Sequence, residues 1–191
     1  MIPSRAFANR TVAVFGLART GLGAVRSLVA GGTNVIAWDD DSAARDLGGQ
    51  EGAEIMPWRQ WPWEKIAALV LSPGVPLTHP KPHGVVGHAN DAKVPVIGDV
   101  ELFAREIRPD PDAPGKAPVI AITGTNGKST TTALVGHILK ACGFDAQIGG
   151  NIGKSVLELS PPSSSKSGPK TIYVLEMSSF QIDLAPGLIP D

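Results

Sequence analysis

The chain contains a single cysteine, Cys142, among its 191 residues, so no intramolecular disulfide can form, and no cysteine–histidine cluster has the spacing of a zinc site. It also lacks a surplus of either charge: 17 Lys plus Arg face 18 Asp plus Glu, a formal net charge of -1. That balance excludes a sequence-independent grip on nucleic acid or anionic lipid, so a small-molecule partner is expected, with no nucleic acid and no membrane. There is no apolar run of roughly 18 residues, and the opening "MIPSRAFANR" has no signal-peptide core, so the expected location is cytoplasmic. What is present is 42% apolar residues, enough to build a core, in a length that suits one domain or two small ones.

Short apolar runs alternate with glycine turns and helix-period segments, the pattern of βα units on a parallel sheet, so the expected class is α/β and Rossmann-like. "TVAVFG" (11–16) predicts a buried strand, and "TGLGAVRSLVAGG" a helix closed by Gly31 and Gly32. "NVIAWDD" (34–40) predicts a second strand ending in acids. "IAALVLSPGV" (66–75) predicts a strand entering a turn, and "VPVIGDVELFARE" (94–106) a short strand and a helix. Residues 1–107 would form the first domain. "RPDPDAPGKAP" (108–118), with four prolines, reads as a linker, and residues 119–191 as an incomplete second α/β unit. There a helix near Val156, a surface loop "PPSSSKSGPK" (161–170) and a strand "TIYVLE" (171–176) are expected.

"AITGTNGKSTTT" (121–132) lies between an apolar strand and a helix, where backbone N–H groups and the helix N-terminus can converge on phosphate oxygens. Gly124 and Gly127 permit close approach over Thr125 and Asn126. Lys128 can reach the β- and γ-phosphates, Ser129 can hold Mg²⁺, and Thr130 extends the hydroxyl run. A general P-loop would place glycine where this chain has Ile122, so the motif is a variant, T-G-T-N-G-K-S-T. The alternative is a polar turn that merely caps a helix. Glu176, closing "TIYVLE", is the candidate second metal ligand, against the alternative of a solvated strand-end acid. Asn151 in "GGNIG" suits a tight turn or a ligand contact.

"FGLARTGLG" (15–23) approximates the dinucleotide fingerprint with Gly16, Ala18 and Gly21, and Asp39 ends the next strand at the distance expected for a ribose contact. Ala18 at the middle position argues against a standard NAD site and leaves another diphosphate open. Asp39 and Asp40 could accept from a base or ribose, or form a solvated turn. Trp58, Trp61 and Trp63 could shield a ligand or cover a core edge. None of His79, His83, His88 and His137 looks catalytic, and Cys142 reads as an inert small hydrophobe.

"ITGTNGKSTTT" resembles the ATP loop of the Mur ligases, the ATP-dependent amino-acid-adding enzymes of peptidoglycan precursor synthesis, and of the related folylpolyglutamate synthases. "VFGLARTG", "LSPGV", "GDVELF", "GGNIG" and "VLEMSSFQ", in this order, resemble the D-glutamate-adding branch of the Mur family, over roughly residues 10–191. The resemblance implies ATP and Mg²⁺ as cofactors, with Lys128, Ser129 and Glu176 serving them. It implies UDP-N-acetylmuramoyl-L-alanine and D-glutamate as substrates. Arg19, Thr20, Asp39, Asp40, Ser72, Pro73 and Gly74 would surround the UDP group, and Asn151, Ser178 and Gln181 the muramoyl-alanine end. The implied reaction runs through an acyl phosphate.

In that family a metal-binding histidine, a carbamylated lysine, the adenine contacts and the amino-acid-binding domain lie beyond "SSFQ". The chain is therefore expected not to ligate alone, and to leave an apolar sheet face for a partner chain or self-association. Two other classes stay open: an NAD(P)-linked Rossmann oxidoreductase, and a non-catalytic UDP-substrate-binding protein.

Overall fold

The computed structural model describes residues 1–107, 117–163 and 170–191, so most of the expected linker and part of the 161–170 loop lie outside the described residues. The first sheet has five parallel strands in the order β3-β2-β1-β4-β5: β1 Thr11–Phe15, β2 Asn34–Trp38, β3 Glu54–Ile55, β4 Ile66–Leu71 and β5 Val96–Ile97. Between them run α1 Arg19–Ala30, α2 Ser42–Gln50 and α3 Gly84–Asp91, with α4 Asp99–Ile107 after β5. The second sheet is parallel too, ordered β6-β8-β7: β6 Val119–Ile122, β7 Asp145–Gly150 and β8 Thr171–Glu176. α5 Lys128–Ala141 links β6 to β7, and α6 Ser179–Asp183 follows β8.

Strand periodicity divides the first core into two layers. Val12 and Val14 of β1, Val35 and Ala37 of β2, and Ala68 and Val70 of β4 join Ala24, Val25 and Leu28 of α1 on one face. The alternate residues Ala13, Phe15, Ile36, Leu69 and Leu71 face Trp58, Trp61, Val85, Val86 and Ala89 on the other. Ile66 breaks the parity of β4 because the β1–β4 register slips between Thr11 and Ala13, which returns Ile66 to the same layer as Leu69. Trp58 and Trp61 thus cover a core edge, each meeting Phe15 edge-on at 6.5 Å between ring centroids. His83 caps α3 by accepting from the Val85 N–H at 3.2 Å and lies 4.6 Å from the Phe15 ring, a structural use of that histidine.

Sequence periodicity alone leaves five elements unassigned, the five-residue α6 among them. α2 buries only Gly48 and so has no apolar stripe to read; Asp41 starts it by accepting from the Ala43 N–H at 3.1 Å. α3 carries two glycines and a His cap, β3 is two residues long, and β7 contains the first two glycines of "GGNIG". The helix expected near Val156 is instead one 3₁₀ turn, Val156–Glu158, started by a Ser155–Glu158 capping box and followed by Pro161 and Pro162. Cys142 is exposed just past the end of α5 rather than packed as a small hydrophobe.

One core cluster runs across both sheets. Phe103 and Ile107 of α4 pack with Val156, Leu157, Tyr173 and Leu175, and the Phe103 and Tyr173 rings meet edge-on at 5.0 Å. Backbone bonds cross the same boundary, from Ile2 N–H to Leu157 O at 2.8 Å and from Gly98 N–H to Leu184 O at 2.7 Å. Pro118, at the end of the expected linker, is stitched into the second sheet by accepting from the Tyr173 N–H at 2.8 Å.

Asp99, the first residue of α4, sits at this boundary. It is buried, and Ser155 Oγ donates to its Oδ2 at 3.3 Å while Oδ1 has no partner among the described residues. Desolvation outweighs the lowering by Ser155, the helix-start N–H groups and Arg19, and pushes its pKa up to about 6. Between the ordinary carboxylate value and about 6 the folded chain holds a proton that the unfolded chain has released. Stability therefore falls as pH rises through that window, by about 3 kcal/mol in all. Asp99→Asn is expected to melt several degrees above the native chain at about pH 7.5, with the gap closing towards about pH 4. Equal gaps at both values in circular-dichroism melts would refute the assignment.

Candidate functional site

Parallel strands place all their C-terminal ends at one edge, and in each sheet the singled-out residues emerge there. In the first sheet Phe15 pairs with Trp38 and Leu71, so Gly16, Asp39 and Ser72 follow one another across the edge where the strand order reverses. Two contacts tie these loops and a third braces the loop after β2. Ser72 Oγ donates to Gly16 O at 2.7 Å, Leu17 N–H donates to Asp39 Oδ2 at 2.6 Å, and Asp41 N–H donates to Asp39 Oδ1 at 2.9 Å. Gly16 has a φ of +88°, and a Cβ there would lie 2.7 Å from that of Ser72. At Gly21 a Cβ would overlap the Gly16 carbonyl, so this glycine lets α1 pack onto the turn.

The result is a cavity of about 290 Å³ above the N-terminus of α1, with Gly150, Asn151 and Gln181 of the second unit as its far wall. Of the ten residues the resemblance assigns to the UDP substrate, Arg19, Thr20, Asp39, Ser72, Pro73, Gly74, Asn151 and Gln181 line it. Asp40 and Ser178 do not. The Asp40 carbonyl accepts from Arg45 at 3.0 Å, and Ser178 caps α6, with its N–H donating to Gln181 Oε1 at 3.0 Å. Arg19 also spans to the second unit, donating to Gly153 O at 2.8 Å. Sequence reasoning passed over Gly150, whose strand was unassigned, and Arg45, which holds the carbonyls of both Asp39 and Asp40 and stacks over Trp38 at 4.5 Å.

In the second sheet the register sets Ile122, Glu176 and Gly150 side by side, so the loop after β6, the acid of β8 and the turn after β7 share one edge. Gly124 and Gly127 take φ values of +142° and +76°, and Gly127 caps α5 with no side-chain bond. The loop hydroxyls are thus not spent on capping, and Ser129 and Thr130 are exposed. Thr125 and Asn126 are exposed as well. Lys128 folds back over its own loop, with Nζ donating to Gly124 O at 2.8 Å, an arrangement that an incoming phosphate would replace.

Glu176 is buried, not solvated. Its Oε1 accepts from Asn151 Nδ2 at 3.2 Å, and its Oε2 is buried with no partner among the described residues. A buried ionised oxygen without a donor is costly unless a cation or water meets it, so the residues fit Mg²⁺. No group of three His, Cys, Asp or Glu among the described residues could cage a metal alone. Glu176 and Ser129 would hold it jointly with phosphate oxygens and water, the usual habit of this ion.

Residues 122–187 of the chain match the family described as the Mur ligase middle domain, so this stretch is similar to that domain. The whole chain's relatives are more particular. Over its whole length it is 52% identical to the UDP-N-acetylmuramoylalanine–D-glutamate ligase of Caulobacter sp. (strain K31), and 53% identical to the proteins of that name from Phenylobacterium zucineum and Brucella abortus. In each case the chain spans 39% of the relative's length.

The glycine packing is testable. Gly21→Ala is expected to lower unfolding free energy in urea by about 1–3 kcal/mol. Gly74→Ala, where a Cβ would meet nothing within 4 Å, is expected to stay within about 0.5 kcal/mol.

Proposed function

We propose that this chain is part of an ATP-dependent ligase of peptidoglycan precursor synthesis, acting in the cytoplasm. Residues 1–107 would take the UDP group of UDP-N-acetylmuramoyl-L-alanine, residues 119–191 would take ATP, and 108–118 would join them. The observation that carries the reading is the row Ile122–Glu176–Gly150. It puts the glycine-containing loop after β6, a buried acid with one unpartnered oxygen and the wall of the cavity on adjacent strand ends.

In this reading Gly124, Thr125, Asn126 and Gly127 offer backbone N–H groups to the triphosphate and Lys128 exchanges its loop carbonyl for phosphate oxygens. Ser129 and Glu176 hold Mg²⁺, which supplies screening of the several negative charges, and Thr130 lies beside them. The cavity directs the alanyl carboxylate of the substrate at the γ-phosphate. An acyl phosphate forms with loss of ADP, and the amine of D-glutamate displaces phosphate from it. Positioning and electrostatics carry such a transfer. Because the chain spans 39% of its relatives, D-glutamate addition by these 191 residues alone is not expected.

Calorimetry separates the two sites. Lys128→Ala is expected to weaken binding of a non-hydrolysable ATP analogue about tenfold or more while leaving UDP-N-acetylmuramoyl-L-alanine affinity unchanged within about twofold. Heat from NADH with none from the UDP ligand would favour an oxidoreductase and overturn the reading.

A further inference from the structure

Resting on that reading, we propose that Asn151 is a positioning residue that couples occupancy of the cavity to cation binding at Glu176. Asn151 holds Glu176 twice: its backbone N–H donates to Glu176 O at 2.8 Å, and its Nδ2 donates to Glu176 Oε1 at 3.2 Å. The amide must present its nitrogen here, since an ionised carboxylate only accepts. Gly150 makes the approach possible, because a Cβ at that residue would overlap the Glu176 carbonyl, and its φ is +103°.

Asn151 is at the same time exposed and part of the cavity wall. One amide hydrogen is spent on Glu176, which leaves the second hydrogen and Oδ1 for a ligand. A polar ligand group bonded there would hold in place an exposed side chain that is otherwise kept by its single bond to Glu176 Oε1. The fixed rotamer holds Oε1 and thereby aims the open Oε2 at one place. Ligand and cation then favour each other without touching, and the coupling is reciprocal.

The size follows from locking one side chain, about two- to tenfold in affinity. The test uses the 191-residue chain with Mn²⁺ and a non-hydrolysable ATP analogue, read by electron paramagnetic resonance, with and without UDP-N-acetylmuramoyl-L-alanine. In the native chain the UDP ligand should tighten Mn²⁺ by that factor, and Mn²⁺ with the analogue should tighten the UDP ligand equally in calorimetry. Asn151→Ala should bring both ratios to one and weaken Mn²⁺, and should lower the melting temperature of the free chain because Glu176 Oε1 loses its donor while the backbone bond to Glu176 O remains. Binding of both ligands to the native chain with no mutual effect, or coupling that survives Asn151→Ala, would overturn the inference and leave the proposed function standing. Failure of the native chain to bind either ligand would overturn both.

Discussion

The fully buried strand β8 is the constraint on which the second unit turns. All six residues of Thr171–Glu176 are buried, because β6 and β7 flank the strand and the α4 face of the first unit covers it through Phe103 and Tyr173. Apolar burial drives the strand inward along its length, and its last residue is a carboxylate. A charge at the end of such a strand must be met. Asn151 meets one oxygen, and the other is buried without a partner among the described residues, on a strand end beside the one that carries the 123–128 loop. The packing that builds the sheet and the polar demand that defines the site are thus one arrangement.

Much of this is legible in the sequence where burial is two-sided. β1, β2, β4 and β8 are near-continuous apolar runs, and such runs report a strand whichever face they serve. α1 is legible because its apolar stripe ends in Gly31. α2 and α3 are not, since a helix that buries one glycine, or an eight-residue helix with two glycines, is too short of apolar positions for a period to be read. β7 hides for a related reason: Gly149 and Gly150 belong to a strand through tertiary contact with Lys154 and Glu176, not through propensity.

The site shows the same division. Residue types and spacing expose the T-G-T-N-G-K-S-T loop, Asp39 and Ser72 as polar residues at strand ends. They do not reveal that Asp39 and Ser72 spend hydrogen bonds on Leu17, Asp41 and Gly16, and so build the cavity mouth as well as line it. Nor could one strand's sequence show that Glu176 lies in register with Gly150. Register depends on pairing two segments about 25 residues apart, and local pattern is silent on it.

The relation between the two sheets rests on the acids of α4. Asp99 accepts from Ser155, Glu101 accepts from the Gly187 N–H at 2.7 Å, and Glu106 accepts from the N–H groups of Arg5 at 2.6 Å and Ala6 at 2.8 Å. The helix thereby grips the 3₁₀ turn, the segment after α6 and the N-terminal strand entry at once, while Phe103 supplies the apolar contact between the sheets. Arg26 adds a partly exposed bond to Glu158 at 3.1 Å, a weaker contribution in solvent. The cavity has one wall from each sheet, so its width depends on this helix together with the bond from Arg19 to Gly153 O that crosses the same boundary. Side chains buried far from the cavity mouth are for that reason as much a part of the site's geometry as Arg19 or Gln181.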